Sequence, residues 1–311
     1  MVFAAVFPGQ GSQSTGMLAE LANSFAEVRE TFQQASELLD KDLWQLTQTD
    51  DNALNQTENT QPIMLTAGVA VWRVWLSQGG KLPVGMAGHS LGEYTALVAA
   101  GVLSFEDALK LVTIRAKLMQ RAVPDGEGAM AAILGLDDKI VINICQQAAQ
   151  NGVAQAVNFN SPGQVVIAGD VKAIDRAIQQ LKEAGAKRAI KLAVSVPSHC
   201  SLMRDAAIIL SESFSEAIFS NPTIPIVHNV NTQSFNNSNE IKKALAQQLF
   251  KPVLWVDTIN KLKNDLGAKS IIEFGPGKVL FGLNRRIDRQ LGNICVHDNA
   301  SLEKALKLTS L

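Results

Sequence analysis

Cysteine is scarce in this sequence of 311 residues, which contains only Cys145, Cys200 and Cys295. An odd number cannot form a complete set of disulfides, and the wide spacing is unlike that of paired zinc ligands. Folding is therefore expected to need neither a disulfide nor a metal. Unpaired thiols fit a reducing compartment, so we expect a cytoplasmic protein.

Excess charge and long apolar runs are also missing. Lys and Arg total 28 against 29 for Asp and Glu, a net charge of −1, which gives no electrostatic footprint for nucleic acid or an anionic membrane. No stretch approaches the roughly 18 apolar residues of a membrane span, and the apolar residues 2–7 are too short for a signal peptide. We expect a protein that binds neither nucleic acid nor membrane.

Strands and helices alternate in the two outer parts of the chain. Hydrophobic periodicity and Gly or Pro stops predict strands at residues 2–7, 84–88, 224–230 and 270–274, and helices at 17–39, 63–78, 91–100, 201–217 and 240–250. Such alternation is typical of a largely parallel sheet covered by helices on both faces.

The middle of the chain has a different pattern. Between residues 128 and 197 the order is strand, helix, strand, strand, helix, strand, the last strand running over 187–196. Pro162 and Gly163 suit the two central positions of a type II turn between the middle strands. This order is that of a ferredoxin-like unit. We therefore predict an inserted subdomain at 128–197, with 1–127 and 198–311 forming the larger core.

The pentapeptide Gly88-His89-Ser90-Leu91-Gly92 matches the G-x-S-x-G nucleophile elbow. A small-residue strand precedes it and a helix follows, so backbone N–H groups and the helix dipole would point toward the serine. Ser90 is therefore the candidate nucleophile. The alternative is a tight turn that contains an idle serine.

A serine nucleophile needs a base, and the four histidines are the candidates. His89 lies within the elbow, where its side chain should turn away from Ser90, so packing is its expected role. His199 follows Pro197 at a predicted strand end, while His228 and His297 each follow an apolar run. The residue pattern alone leaves the choice among these three open.

The turn Phe7-Pro-Gly-Gln-Gly-Ser-Gln13 is the second Gly-rich segment. It lacks the Lys of a P-loop and the third glycine of a dinucleotide-binding turn, which argues against a nucleotide site. A turn at the end of the first strand either presents a backbone N–H to an acyl oxygen near Ser90 or simply connects a strand to a helix.

Five ordered motifs carry a family resemblance: F-P-G-Q-G-S-Q, G-H-S-L-G-E-Y-T-A-L, V-N-F-N-S-P-G-Q-V-V-I-A-G, V-S-V-P-S-H and E-F-G-P-G-K-V-L. Together they resemble the malonyl-CoA:acyl carrier protein transacylase family over essentially the whole chain. The resemblance implies an α/β-hydrolase-like core with a ferredoxin-like insertion. It also implies transfer of malonyl from malonyl-CoA to acyl carrier protein for fatty acid biosynthesis, with no cofactor beyond these substrates.

The resemblance further assigns roles to residues. It implies that Ser90 is acylated, that His199 is its base, and that the main-chain carbonyl of Gln248 orients the imidazole in place of the usual Asp. The backbone N–H groups of Gln10 and Leu91 would form the oxyanion hole, and Arg115 would hold the malonyl carboxylate.

Other interpretations remain at this point. A serine esterase or thioesterase of the α/β-hydrolase type would use His297 as its base, because the base of such enzymes follows the acid near the C-terminus. A binding module would keep the elbow only as structure. A pair of Cys200 with His199 is disfavoured, since sequence neighbours rarely face each other. A cationic run could dock the acidic carrier protein, or it could be a solvated helix face; it comprises Lys278, Arg285, Arg286 and Arg289.

Overall fold

The computed structural model describes residues 1–49, 51–194 and 196–310. Its strands are β1 (Phe3–Phe7), β2 (Met86–Gly88), β3 (Gly128–Leu134), β4 (Ala154–Ser161), β5 (Gln164–Asp170), β6 (Arg188–Lys191), β7 (Ser270–Phe274) and β8 (Gly292–Val296). Its α-helices are α1 (Ala19–Ser24), α2 (Ala26–Leu39), α3 (Leu43–Thr49), α4 (Asp51–Leu54), α5 (Thr57–Ser77), α6 (Gly92–Ala99), α7 (Phe105–Arg121), α8 (Asp138–Ala149), α9 (Val171–Glu183), α10 (Arg204–Ser213), α11 (Ser238–Gln248), α12 (Trp255–Asn264), α13 (Val279–Ile287) and α14 (Asn299–Ser310). Short 3-10 turns at Ser201–Met203 and Phe214–Glu216 flank α10.

The larger sheet has the order β2-β1-β7-β8 and is parallel throughout. All five residues of β1 are buried, because helices cover both of its faces. On one face, Phe7 packs edge-on against Trp72 of α5, with ring centroids 6.0 Å apart. On the other face, Ala4 and Val6 join a cluster around Trp255 of α12. Continuous burial of this kind is what a parallel sheet covered on both sides requires.

The smaller sheet has the order β4-β5-β3-β6 and is antiparallel. Its strands and the helices α8 and α9 follow one another as strand, helix, strand, strand, helix, strand, which is the ferredoxin-like arrangement. Gly163 has φ +70°, as the third position of the predicted type II turn demands. The predicted fold class, an α/β core with an inserted ferredoxin-like unit, is confirmed. The exact division at residues 128 and 197 stays a prediction.

Three helix predictions needed correction at their boundaries. The helix predicted at 201–217 is α-helical only over Arg204–Ser213, between the two 3-10 turns. The helix predicted at 17–39 is divided into α1 and α2, because Phe25 adopts an extended backbone with φ −132° and ψ 117°. The helix predicted at 63–78 begins at Thr57 and contains Pro62. Pro62 is the sixth residue of α5 and has no backbone N–H, so it cannot donate the usual i→i−4 hydrogen bond to the Glu58 carbonyl, and α5 continues past it.

Three strand predictions were too long or wrong. The strand predicted at 84–88 begins only at Met86. The strand predicted at 187–196 ends at Lys191, and Ser195 lies outside the described residues. The strand predicted at 224–230 is not formed; a single bridge joins Ile226 to Met86. Pro225 has no backbone N–H to donate, although its carbonyl accepts a hydrogen bond from the N–H of Met86.

Among the described residues, no helix combines the length and the apolar composition that crossing a membrane requires.

Candidate active site

Ser90 lies in the sharp turn between β2 and α6, with a left-handed backbone of φ 52°. The flanking glycines are required by close backbone contacts. A Cβ on Gly88 would lie 1.9 Å from the carbonyl carbon of Gly92, and one on Gly92 would lie 2.1 Å from the carbonyl oxygen of Phe7. Only glycine fits at both positions. The turn therefore has the strained geometry of a nucleophile elbow.

His199 is brought to Ser90 from the segment that follows β6. Its Nε2 lies 2.7 Å from the Ser90 Oγ, and its Nδ1 lies 2.6 Å from the main-chain oxygen of Gln248. A carbonyl oxygen can only accept, so Nδ1 must carry the proton and Nε2 must be the acceptor. The imidazole is thus held in the tautomer that can take a proton from the serine hydroxyl.

The imidazole of His199 is neutral over the physiological pH range. Burial, the largest cause, and repulsion from the Arg115 cation together lower its pKa from the ordinary 6.5 to about 3, against the opposing effect of the hydrogen bond to the carbonyl of Gln248. A general base must be unprotonated before it can act. His199 meets this condition.

The main chain around Ser90 leaves donors for a developing negative charge. The N–H of Ser90 itself is occupied by the Asn229 Oδ1, at 2.7 Å. In the part of the chain that the structure describes, the N–H groups of Gln10 and Leu91 have no acceptor. The two turns touch, because a Cβ on Gly9 would lie 2.4 Å from the His89 carbonyl oxygen. Two free donors beside a nucleophile are the elements of an oxyanion hole.

Arg115 is a buried cation on α7, with 1% of its surface exposed. Its Nη1 donates to the Gln61 Oε1 at 2.6 Å, and its Nη2 donates to the Gln248 Oε1 at 3.0 Å and to the Ser90 Oγ at 3.3 Å. No carboxylate of the described residues forms an ion pair with it. Arg115 is therefore available to pair with an anionic group of a ligand next to Ser90.

A cavity of about 550 Å³ lies between the two sheets. Five of the six predicted site residues line it: Gln10, Ser90, Leu91, Arg115 and His199. Asn158 and Asn160 reach it from β4, and Val279, Leu280 and Leu283 form a wall from α13. The sixth residue, Gln248, is fully buried and reaches the cavity only through its hydrogen bonds. The fold thus brings the predicted residues together.

Among the described residues, none of the other candidate bases and nucleophiles is hydrogen-bonded to the Ser90 Oγ. The His297 Nε2 is 3.2 Å from the Asp298 carboxylate, and His297 does not line the cavity. His89 lines the cavity, but its Nε2 is 2.8 Å from the Asn160 Oδ1 and its ring packs near Trp255, so it contacts these two residues rather than the Ser90 Oγ. Burial raises the pKa of the Cys200 thiol to about 12, so this thiol is a poor nucleophile.

A buried polar cluster behind the reactive groups was missed by the sequence analysis. Glu93 and His228 are both fully buried, and the Glu93 Oε1 lies 2.7 Å from the His228 Nδ1. Asn229 is hydrogen-bonded to both Glu93 and Ser90. Glu93 and His228 are separated by 135 positions, so no local pattern relates them. The one available signal was a charged residue, Glu93, inside an apolar helix.

The residues that the structure describes contain no group of three or more His, Cys, Asp or Glu side chains that could hold a metal ion.

Comparison with known proteins places this site in a family. Residues 3–289 match the acyl transferase domain family. The malonyl CoA-acyl carrier protein transacylase of Salmonella typhimurium is 52% identical over 305 residues, which cover 98% of each chain. The crystal structure of an acyl carrier protein S-malonyltransferase from Vibrio cholerae matches with a TM-score of 0.95 and 52% identity, covering 98% of this chain and 99% of that one.

A third match includes a partner. A structure of a type II PKS acyl-carrier protein in complex with its malonyl-transacylase matches with a TM-score of 0.97 and 50% identity, covering 99% of this chain and 100% of the other. Both the matched family domain and these near full-length relatives therefore show that the chain belongs to the malonyl CoA-acyl carrier protein transacylase family of acyltransferases.

Proposed function

We propose that this protein transfers the malonyl group of malonyl-CoA to the phosphopantetheine thiol of acyl carrier protein, through a malonyl ester on Ser90. The observation that carries the proposal is the union, in one cavity, of the Ser90–His199 hydrogen bond with an unpaired buried cation, Arg115. The first provides acyl transfer. The second provides a site for the carboxylate that distinguishes malonyl from simple acyl groups.

In the first half-reaction, the Ser90 Oγ attacks the thioester carbonyl carbon while its proton passes to the His199 Nε2. The tetrahedral oxyanion is stabilised by the N–H groups of Gln10 and Leu91. When the C–S bond breaks, CoA leaves as a thiolate and takes the proton from His199. The products are the malonyl ester of Ser90 and the free thiol of CoA.

In the second half-reaction, the pantetheine thiol of the carrier protein gives its proton to His199, and its sulfur attacks the ester carbonyl. The oxyanion occupies the same two N–H groups, the C–O bond to Ser90 breaks, and the Ser90 oxygen recovers the proton. No atom or electron is needed beyond those of the two substrates. We therefore infer that the reaction uses no cofactor.

The relatives support the same assignment, because they are named as malonyl CoA-acyl carrier protein transacylases and one is complexed with a carrier protein. The product would supply the extender unit for fatty acid biosynthesis. The esterase alternative is not favoured, since His297 contacts Asp298 rather than Ser90. We place the enzyme in the cytoplasm, in keeping with its three free cysteines.

We further propose α13 as part of the carrier-protein docking surface. Arg285 and Arg286 are exposed on this helix, whereas Leu280 and Leu283 of the same helix line the cavity. One helix thus joins the cavity wall to a cationic surface. Acidic carrier proteins would be attracted to such a surface mainly through a faster association rate.

The direct experiment is mass spectrometry of the intact protein after mixing with malonyl-CoA, followed by peptide mapping. We expect one added malonyl group on the peptide that contains Ser90, and its loss when phosphopantetheinylated carrier protein is added. The control is Ser90→Ala, which should neither gain the adduct nor transfer the acyl group. An adduct at another residue would refute the assignment of the nucleophile, and release of free malonate without transfer would favour the hydrolase.

A further inference from the structure

Glu93 is a fully buried carboxylate at the start of α6, three residues after the nucleophile. Its Oε1 lies 2.7 Å from the His228 Nδ1. Its Oε2 accepts from the N–H of Asn229 at 3.1 Å and from the Gln248 Nε2 at 2.9 Å. A carboxylate with these donors around both oxygens is held in one orientation.

The first connection from Glu93 runs through Gln248 to the base. The Gln248 amide donates to Glu93 and to the main-chain oxygen of Ser90, and its oxygen accepts from Arg115. Glu93 can only accept and Arg115 can only donate, so the two fix which end of the amide faces which neighbour. The main-chain oxygen of the same residue holds the His199 Nδ1.

The second connection runs through Asn229 to the nucleophile. The N–H of Asn229 donates to Glu93, its Oδ1 accepts from the N–H of Ser90 at 2.7 Å, and its Nδ2 donates to the Gly88 oxygen at 2.7 Å. Asn229 thus restrains the backbone of the elbow at Gly88 and at Ser90, whose backbone has φ 52°. Hydrogen bonds from a buried residue therefore stabilise the strained turn.

We propose that Glu93 is a positioning residue for acyl transfer, which holds the Ser90 elbow through Asn229 and the His199 base through Gln248. The assignment rests on the proposed function. Glu93 touches neither the cavity nor the reacting atoms, since it is fully buried and does not line the cavity. We infer that Glu93 contributes through the geometry of its three hydrogen-bond contacts, to His228, Asn229 and Gln248, rather than through its negative charge.

Two substitutions of Glu93 distinguish the effect of its hydrogen-bond geometry from the effect of its negative charge. Glu93→Gln removes the charge but keeps the length: its oxygen can accept from Asn229 and Gln248, while its NH2 donates to the His228 Nδ1. That ring can change tautomer, because its Nε2 has no hydrogen-bond partner among the described residues. Glu93→Asp keeps the charge but is one methylene shorter, so it cannot reach both His228 and Gln248.

We therefore expect opposite outcomes for the two variants. Single-turnover malonylation by Glu93→Gln should stay within about fivefold of the wild-type rate. Glu93→Asp should be about 10- to 100-fold slower, the usual cost of losing one hydrogen bond to a charged group. The rate is measured by quenched-flow mass spectrometry of the Ser90 ester at saturating malonyl-CoA, which reports the chemical step rather than binding. Thermal unfolding of each variant is recorded alongside.

The matched controls are Glu106→Gln and Glu106→Asp, at an exposed position on α7, the helix that carries Arg115. Both should match the wild type. A folded Glu93→Asp with the wild-type rate, or a Glu93→Gln slower than Glu93→Asp, would overturn the positioning role. If Glu93→Gln fails to fold, Glu93→Asp is also measured in the Gln248→Met background, where only the connection through Asn229 is left to lose; its cost should be smaller there than in the wild type, and an equal cost would overturn the positioning role. If Glu93→Asp fails to fold, Glu93→Gln alone still tests the proposal, because a rate more than about fivefold below the wild type would show that the charge itself is needed.

The wild-type reaction separates this proposal from the proposed function. Failure of the wild type to form the Ser90 ester would defeat malonyl transfer itself. Ester formation by the wild type at the same rate as by Glu93→Asp would leave malonyl transfer intact and would reject only the role of Glu93.

Discussion

Replacing Arg115 by Ala should convert the enzyme from one that prefers malonyl to one that does not. Arg115 is 1% exposed, and its guanidinium lies 3.3 Å from the nucleophilic oxygen of Ser90. Its two nearest partners, Gln61 and Gln248, are neutral amides. The cation is thus desolvated and has no direct counter-ion in the described residues, and the malonyl carboxylate is the group that would supply one.

The magnitude follows from the hydrogen bonds at stake. Each charge-assisted hydrogen bond contributes about 1.5 to 3 kcal/mol, and a planar guanidinium offers two to one carboxylate. A loss of about 3 kcal/mol corresponds to roughly 10²-fold in kcat/KM. Acetyl transfer should be unchanged or improved in Arg115→Ala, because the repulsion that Arg115 exerts on the His199 imidazolium disappears with it.

The assay is kcat/KM for malonyl-CoA and acetyl-CoA with wild type, Arg115→Ala and Arg115→Lys. The lysine variant should be a partial rescue, since a point charge cannot reproduce the two-pronged geometry. Thermal unfolding of each variant shows whether the fold is destabilised when the amide oxygens of Gln61 and Gln248 lose the donor that Arg115 provides. Equal losses for the two substrates would refute the reasoning, because they would mean that Arg115 supports the fold or the CoA moiety.

Three further predictions concern the base, the elbow and the docking surface. His199→Ala should fold but lose about 10² to 10⁴ in the rate of acyl transfer. Because the folded pKa of His199 lies below its unfolded value, the free energy of unfolding of the wild type should fall as the pH drops below 6.5, by up to about 1.4 kcal/mol per pH unit. Urea unfolding followed against pH should show a flatter slope in His199→Ala. Gly92→Ala should cost at least about 3 kcal/mol in the same assay, whereas Gly282→Ala, where a Cβ meets nothing within 4 Å, should cost none. Reversing the charges of Arg285 and Arg286 should raise the carrier-protein KM at low salt and leave the rate of Ser90 acylation by malonyl-CoA unchanged; an unchanged KM would exclude docking there.

The elbow was predictable from the sequence because its cause is local. Two glycines four positions apart permit a turn in which backbone atoms of neighbouring elements approach within contact distance. The type II turn at Gly163 was predictable for the same reason, since a single positive φ selects glycine. A turn whose conformation depends on a few adjacent residues can therefore be predicted from the sequence alone.

The partner of Ser90 was not predictable from the residue pattern alone. His199 is 109 positions away, and three histidines met the local criteria equally well. Family resemblance selected one of them, and the fold brings that one to 2.7 Å. The strand predicted at 224–230 failed for a related reason: its apolar residues are buried by tertiary contacts, while Pro225 interrupts the donors that a ladder needs.

The charges of the site link the proposed malonyl contact to the proposed base. Repulsion by Arg115 contributes to the lowered pKa of His199, and a malonyl carboxylate paired with Arg115 would offset that repulsion. The imidazole would thus become a stronger base when a malonyl group is bound. The Gln248 carbonyl, 2.6 Å from the His199 Nδ1, holds the ring in the tautomer that this role requires. If Arg115 binds the malonyl carboxylate as proposed, selectivity and proton transfer would both depend on this cation, 3.3 Å from the Ser90 Oγ.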